Sequence, residues 1–298
     1  MDGMPNSLAL QWSRRKLYTL MFVIYNQNEG ECPPKMANAD IGVEFYEQKD
    51  VDSKSEDVSK SWVLLGLKQR GFGTGRWNGF GGKVQSDDAD PKEAALRELK
   101  EECGLEIGRD STEEVGRLWF TFTDQTECME VHVFICRDWK PSTIDTGWPC
   151  NTEEMHPDWF PVGSLVNGNS VDVSGIPFSH MWSDDQFWFP HMLRCHQFVG
   201  WFHFNPLSEL GVGSSKIPAD KSSTTNGLMK APYEVPAYRL QVFLDDGCMP
   251  KKGFSEADES FQLRIAKLGL EEDSALKKWM SSREKAADLP NSQLVVFG

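Results

Sequence analysis

The apolar and polar positions of this chain alternate and cluster in ways that predict six strands and a few helices. Leu17 to Tyr25 is apolar, aromatic and β-branched enough for a core strand, and Trp62 to Leu67 is a second. Val115 to Phe122 and Met129 to Cys136 alternate as paired strands do, and Phe198 to Phe204 and Tyr238 to Leu244 read as two more. Between the first two, Asn26 to Lys60 turns polar. A compact domain rarely holds so long a structureless run, so it reads as a loop insertion. A second, flexible insertion is read in SSKIPADKSSTTNGLMKAP, which is rich in Ser, Gly and Pro. The run DPKEAALRELKEECGL predicts a helix with marked ends: Asp90 as N-cap, Pro91 at the first position, Glu93 completing a capping box and Gly104 as the stop. QFWFPHML predicts another. Past Gly247, Phe261, Ile265 and Leu268, then Leu276, Trp279 and Met280, fall at helical spacing and predict two small amphipathic helices packed on the domain or on a partner. Mixed strands around one or two helices give an α+β fold.

Within the capped helix, Glu98, Glu101 and Glu102 stand three and four apart and share one face. A solvated Glu-rich surface is the plain reading of such a run. Like charges so placed repel unless a cation lies between them, and hard oxygen ligands suit Mg²⁺ or Mn²⁺. The preceding glycines, Gly79, Gly81 and Gly82, let backbone approach a ligand closely, and Arg97 can orient a carboxylate by a forked hydrogen bond. Further along, Trp182, Ser183, Asp184 and Asp185 lead into the second helix. Acids suit a helix N-terminus for dipole reasons alone. Two adjacent carboxylates facing one apolar pocket can instead share a proton, and Trp182 offers a flat face for stacking.

The net charge of −14 counts against a protein that grips nucleic acid through its phosphates, since that work needs a basic patch. Seven cysteines, an odd number without a C-x-x-C, read as reduced thiols. Neither a secretory signal nor a membrane-spanning apolar run is present, so the expectation is a cytoplasmic monomer, with nuclear or mitochondrial pools open to it.

Gly82, Arg97, Glu98, Leu99, Glu101, Glu102, Gly104 and Leu105 together resemble the Nudix box, G-x5-E-x7-R-E-U-x-E-E-x-G-U. Fourteen residues separate Gly82 from Arg97 where that pattern has thirteen, so Asp87 or Asp88 stands in for its first glutamate. LYTLMFVIYNQ, VLLGLKQRGFGTGRWNGFGGKVQ, MEVHVF, EEMHPDWF, IPFSHMWSDDQFWFP and FVGWFHF are similar, in order, to segments of the MutT-homologue branch, the oxidised purine nucleoside triphosphate diphosphatases.

The resemblance implies an α/β/α sandwich with a mixed sheet over residues 1–246, carrying insertions near 27–60 and 206–235, and leaves 247–298 as a C-terminal helical extension. It implies Mg²⁺, with Mn²⁺ as a substitute, held by the Gly81 carbonyl, Glu98, Glu101, Glu102 and Glu154. Glu102 or Glu154 would receive the proton of the attacking water, with Arg97 in support. Thr19, Lys68, Phe72, Asn78, Phe80, Gly81, Gly82, Lys83, Phe120, Met129, Trp182, Ser183, Asp184 and Asp185 would bind a small-molecule nucleotide. On their own, Lys68 reads as an ordinary lysine, Glu154 as a surface acid, and Phe72, Phe120, Phe122, Met129 and Phe134 as core. Asn78 says more, because its amide both donates and accepts and can pair with a purine edge. The implied reaction is hydrolysis of an oxidised purine nucleoside triphosphate to the monophosphate and pyrophosphate. Its rivals are another Nudix substrate, such as a dinucleotide or a nucleoside diphosphate sugar, and a catalytically silent nucleotide-binding protein.

Overall fold

A computed structural model describes residues 14–26, 61–123, 125–141, 147–163, 171–206, 233–243, 254–281 and 292–297. The insertion at 27–60 and the greater part of that at 206–235 lie outside the described residues. The elements are β1 (Arg14–Asn26), β2 (Ser61–Lys68), β3 (Trp77–Asn78), α1 (Pro91–Cys103), β4 (Glu113–Phe122), β5 (Glu127–Trp139), β6 (Met155–Val162), α2 (Asp185–Leu193), β7 (Gln197–Pro206), β8 (Tyr233–Phe243), α3 (Phe254–Lys267), α4 (Asp273–Ser281) and β9 (Ser292–Phe297). All six expected strands and all four expected helices form.

The strands make one mixed sheet in the order β3-β2-β1-β5-β4-β7-β8-β9, with β6 also on β2. Pairing is parallel for β1 with β5, β4 with β7 and β8 with β9, and antiparallel elsewhere. Alternation along each strand sorts side chains onto two faces. One face packs under α2, whose Trp188, Phe189 and Met192 bury against Phe22, Val133, Phe198 and Phe202. On the other, α1 covers Met21, Val23, Leu64 and Phe134 with Ala95, Leu99 and Cys103. Beside it α3 and α4 set Phe261, Ile265, Leu276 and Met280 on Trp119, Val199 and Trp201. The result is the α/β/α sandwich, and the extension's helices pack on the domain itself.

Three strands go beyond the sequence expectation. β6 carries Pro157 and Pro161, which blur a strand signal but are tolerated because, among the described residues, β6 pairs only with β2. β3 is two residues long. β9 belongs to the extension, which is therefore not purely helical: after its two helices it returns as a six-residue edge strand parallel to β8.

One departure from regular pairing builds the site. β1 lies on β2 only over its last residues, Val23 to Asn26. Ahead of them the Gly-rich segment takes the place of β2: Met21 N–H donates to the Phe80 carbonyl at 2.6 Å, Thr19 N–H to that of Gly82 at 2.9 Å, and Val84 N–H to that of Leu17 at 3.0 Å. This lays Gly81 and Gly82 between β1 and α1.

Candidate active site

α1 is capped as its sequence requires. Asp90 Oδ1 accepts from Glu93 N–H at 2.9 Å, Gly104 turns out at φ 78°, and its N–H donates to Lys100 O at 2.9 Å. The Glu93 carboxylate reaches back to Ala89 N–H at 2.8 Å, one residue upstream of a regular capping box. Arg109 grips the N-cap with two bonds to Asp90, at 3.0 and 2.6 Å.

From this helix Glu102 points into the fold and is 2% exposed. Its Oε2 accepts from Gly81 N–H at 2.8 Å and its Oε1 from Lys68 Nζ at 2.9 Å. Burial pushes its carboxyl up to about 7, against the pull of Lys68. The same ammonium donates to Glu154 Oε1 at 2.5 Å, which holds Glu154 below the ordinary carboxylate value. Burial disfavours the Lys68 charge, but its two carboxylates outweigh that and raise it. Of the two glycines beside these acids, Gly81 is held by backbone at φ 156°, whereas a side chain at Gly82 would have to displace only the flexible end of Glu98. A Cβ on Gly81 would fall 2.0 Å from Thr19 O, and one on Gly82 would fall 2.6 Å from the Glu98 carboxyl.

Arg97 organises the solvent side of the same face. It donates to both oxygens of Asp88 at 2.9 and 3.0 Å, to Glu98 at 2.9 Å and to Glu101 at 3.1 Å. Asp88, not Asp87, is thus the carboxylate that pairs with this arginine, and the bond holds it below its ordinary value. Glu98 is half-buried, and burial raises it despite Arg97.

Next to the carboxylates opens a cavity of about 250 Å³. Lys68, Glu154, Gly81 and Gly82 line its α1 end, and Trp182, Asp184 and Asp185 its far end. Asp184 Oδ2 accepts from Trp188 Nε1 at 2.9 Å, and Asp185 Oδ2 from Trp182 N–H at 3.0 Å. Both acids are buried, which pushes both carboxyls up, and the charge of Asp184 pushes Asp185 higher still. Phe72, 55% exposed, stacks on Trp182 at 5.0 Å and 28° and roofs the opening.

A family model described as NUDIX domain matches residues 54–180. The oxidized purine nucleoside triphosphate hydrolase of Danio rerio is 44% identical over 147 residues, 49% of this chain and 81% of that protein. The chain belongs to the Nudix family. The Mus musculus protein of the same description is 42% identical over 142 residues, 48% of this chain and 78% of its own length. A mutator MutT protein from Bacillus halodurans overlays with a TM-score of 0.43 at 17% identity, covering 76% of this chain and 97% of its own.

In the Nudix site the expected residues divide in three. Lys68, Glu98, Glu102, Glu154, Gly81 and Gly82 come together, while Glu101, beside Arg97, stays on the exposed side of α1. Thr19, Phe72, Asn78, Phe120, Met129, Trp182, Asp184 and Asp185 line the cavity, with Phe120 and Met129 opposite one another in the β4–β5 register. The core reading therefore fits Phe134, while Phe122 is buried and also reaches the cavity.

Three side chains are elsewhere. Phe80 is wholly buried beneath α1, because its backbone pairs with Met21 and turns the ring into the core. Lys83 bridges Tyr18 across from β1 and does not line the cavity. Ser183 turns its hydroxyl to Tyr233 O at 3.3 Å. Two further residues carry no signal in the local sequence: Trp188, whose indole N–H donates to Asp184 Oδ2 at 2.9 Å, and Arg76, a charged side chain that is buried.

Proposed function

We propose that this chain hydrolyses oxidised purine nucleoside triphosphates, of the 8-oxo-dGTP and 2-hydroxy-dATP kind, to the monophosphate and pyrophosphate. One observation carries the reading: a single cavity runs from Lys68, Gly81 and Glu154, the first two of which hold Glu102 of the Nudix helix, to the buried Asp184/Asp185 pair. The family relationship and the description shared by the fish and mouse relatives support it.

Glu98, Glu101, Glu102 and Glu154, with the Gly81 carbonyl, are the hard oxygen donors that suit Mg²⁺ or Mn²⁺. Among the described residues no three carboxylates converge on one point, because Lys68 draws in Glu102 and Glu154 while Arg97 draws in Glu98 and Glu101. The donor chemistry fits a divalent ion competing with these two cations. When bound, such an ion neutralises phosphate charge and acidifies water. Glu102 or Glu154 would take the proton of the attacking water, and Arg97 steadies the face by holding Asp88, Glu98 and Glu101 together.

At the other end, the base stacks against Trp182 and Phe72 while Asn78 and the acid pair read its edge. Asn78 Oδ1 accepts from Gly79 N–H at 2.8 Å, which fixes the plane of its amide. If Asp184 and Asp185 hold one proton between them, they offer a donor and an acceptor, and moving that proton lets one pocket take two oxidised purines. We place the activity in a cytoplasmic monomer. Among the described residues no helix is long and apolar enough to cross a membrane.

The test is a hydrolysis panel with and without Mg²⁺: normal and oxidised nucleoside triphosphates, nucleoside diphosphate sugars and dinucleotides. Metal-dependent turnover with the highest kcat/KM on an oxidised purine triphosphate is the expected result. Preference for a sugar nucleotide or dinucleotide, or no turnover on any substrate, refutes it.

A further inference from the structure

The chemistry above leaves Arg76 without a task, although its side chain is among the most enclosed charges in the molecule. It is 2% exposed, and its Nη1 has no hydrogen-bond partner among the described residues. Its guanidinium carbon lies 4.3 Å from the Trp182 ring. The backbone holds it there from both sides: Lys68 N–H donates to Arg76 O at 2.9 Å and Arg76 N–H to Gly73 O at 3.1 Å. Asp184 Oδ1, also buried, is likewise without a partner.

An isolated buried charge is expensive, so a buried arginine implies a counter-charge nearby. The ionisable groups acting on Arg76 are Asp185 at the start of α2, Asp184 just ahead of it, and Tyr233 of β8; Arg76 acts on both acids, and Asp184 on Asp185. Counting charge favours one protonation state. With two protons on the acid pair the enclosure carries one net positive charge, and with none it carries one net negative charge. With one shared proton it is neutral, the state a low-dielectric site favours.

We infer that Arg76 is a positioning residue for base recognition, holding the plane of Trp182 by its stack and keeping the Asp184/Asp185 pair at one shared proton through neutral pH. The inference rests on the base-reading role proposed above and deepens it. Without Arg76 the ionisation of the pair moves to higher pH, because the cation that favours the charged form is gone. An opposite charge at close range moves a carboxyl by about 1–3 pH units.

The experiment measures the ratio of kcat/KM for 8-oxo-dGTP and 2-hydroxy-dATP from about pH 5 to 9, a range bracketing raised carboxyl values. Wild type, Arg76→Gln, Arg76→Lys, Asp184→Asn and Asp185→Asn are compared. Calorimetric binding of 8-oxo-dGMP without metal gives a second readout free of turnover. Arg76→Gln is expected to move the midpoint of both profiles up by about one unit or more, a tenfold change on the flank. Arg76→Lys keeps the charge and should leave the midpoint while weakening binding of both bases, since an ammonium stacks less well on Trp182. Midpoints unmoved in Arg76→Gln, with only a lower melting temperature, would overturn the inference and leave Arg76 a packing residue. A different failure marks the reading beneath it: if Asp184→Asn and Asp185→Asn slow every substrate alike and the wild-type ratio ignores pH, the acid pair does not read the base.

Discussion

Glu102 shows how much one side chain is asked to do. Its two oxygens are shared between the Gly81 amide and the Lys68 ammonium, so it ties the Nudix helix to the Gly-rich turn and to β2 at once. Glu102→Gln keeps the shape and an acceptor for Gly81, but loses the charge that a metal or a proton would need. The expected outcome is a loss of about 10²- to 10⁴-fold in kcat, with 8-oxo-dGMP binding close to wild type. Turnover within a factor of two at saturating Mg²⁺ would sink the assignment of this face. The helix acids were legible in the sequence because their spacing alone puts them together. Phe80 and Arg76 were not, because which way Phe80 points depends on its pairing with β1 and which way Arg76 points on its pairing with β2, and nothing local in the sequence sets either pairing.

Among the elements, the β1–β2 hairpin is the most open to trial. Asn26 and Ser61 are directly opposite, and the Ser61 hydroxyl donates to Asn26 Oδ1 at 2.8 Å, so the strands already meet at the points where residues 27–60 leave and return. Deleting Gly30 to Ser59 leaves Gln27, Asn28, Glu29 and Lys60 as a four-residue connection, a length common in hairpins. Loop closure depends only weakly on length, so the shortened protein is expected to fold and to retain hydrolysis. A deletion protein with a native circular dichroism spectrum and no activity would show instead that the insertion takes part in the site. Element by element, strands with unbroken apolar runs were readable. β6 was hidden by its two prolines and β3 by its brevity.

At the scale of the molecule, the extension completes the sheet. Trp119, Val199 and Trp201 are buried under α3 and α4, and Arg239 clamps α4 by donating to Trp279 O at 2.7 Å. Removing residues 247–298 exposes that apolar face, and the truncated protein is expected to bind a hydrophobic dye and melt well below the full chain. A melting temperature within about 3 °C of wild type, the shift that about 1 kcal/mol makes, would contradict this. Between the cores under α1 and α3 runs a buried charged row. His132 bonds Glu114 at 2.8 Å and meets Glu130 at 3.3 Å, while Gln262 of α3 reaches Glu114 at 2.5 Å. Burial opposes every charge here, yet the pairings outweigh it, raising His132 above its ordinary 6.5 and holding Glu114 and Glu130 below 4.5. The histidine's contribution is therefore complete below pH 6.5 and fades as pH climbs through its raised value. That of the glutamates is complete above pH 4.5 and fades as pH falls through their lowered values. His132→Gln should destabilise by about 3–5 kcal/mol between those limits, and the gap in melting temperature from wild type should narrow toward pH 9. A gap constant from pH 6 to 9 would mean that His132 is neutral in the folded protein.

The sequence by itself determined the capped helix, the carboxylates along it, the glycines that let backbone come near them and most of the strands, because each of these follows from local spacing and steric demand. Only the tertiary structure decided which strands became neighbours, that Asp88 pairs with Arg97, that Lys68 bridges Glu102 and Glu154, and that the last residues close the sheet. Those outcomes depend on groups brought together from distant positions, where burial and charge balance choose the partners and local pattern says nothing.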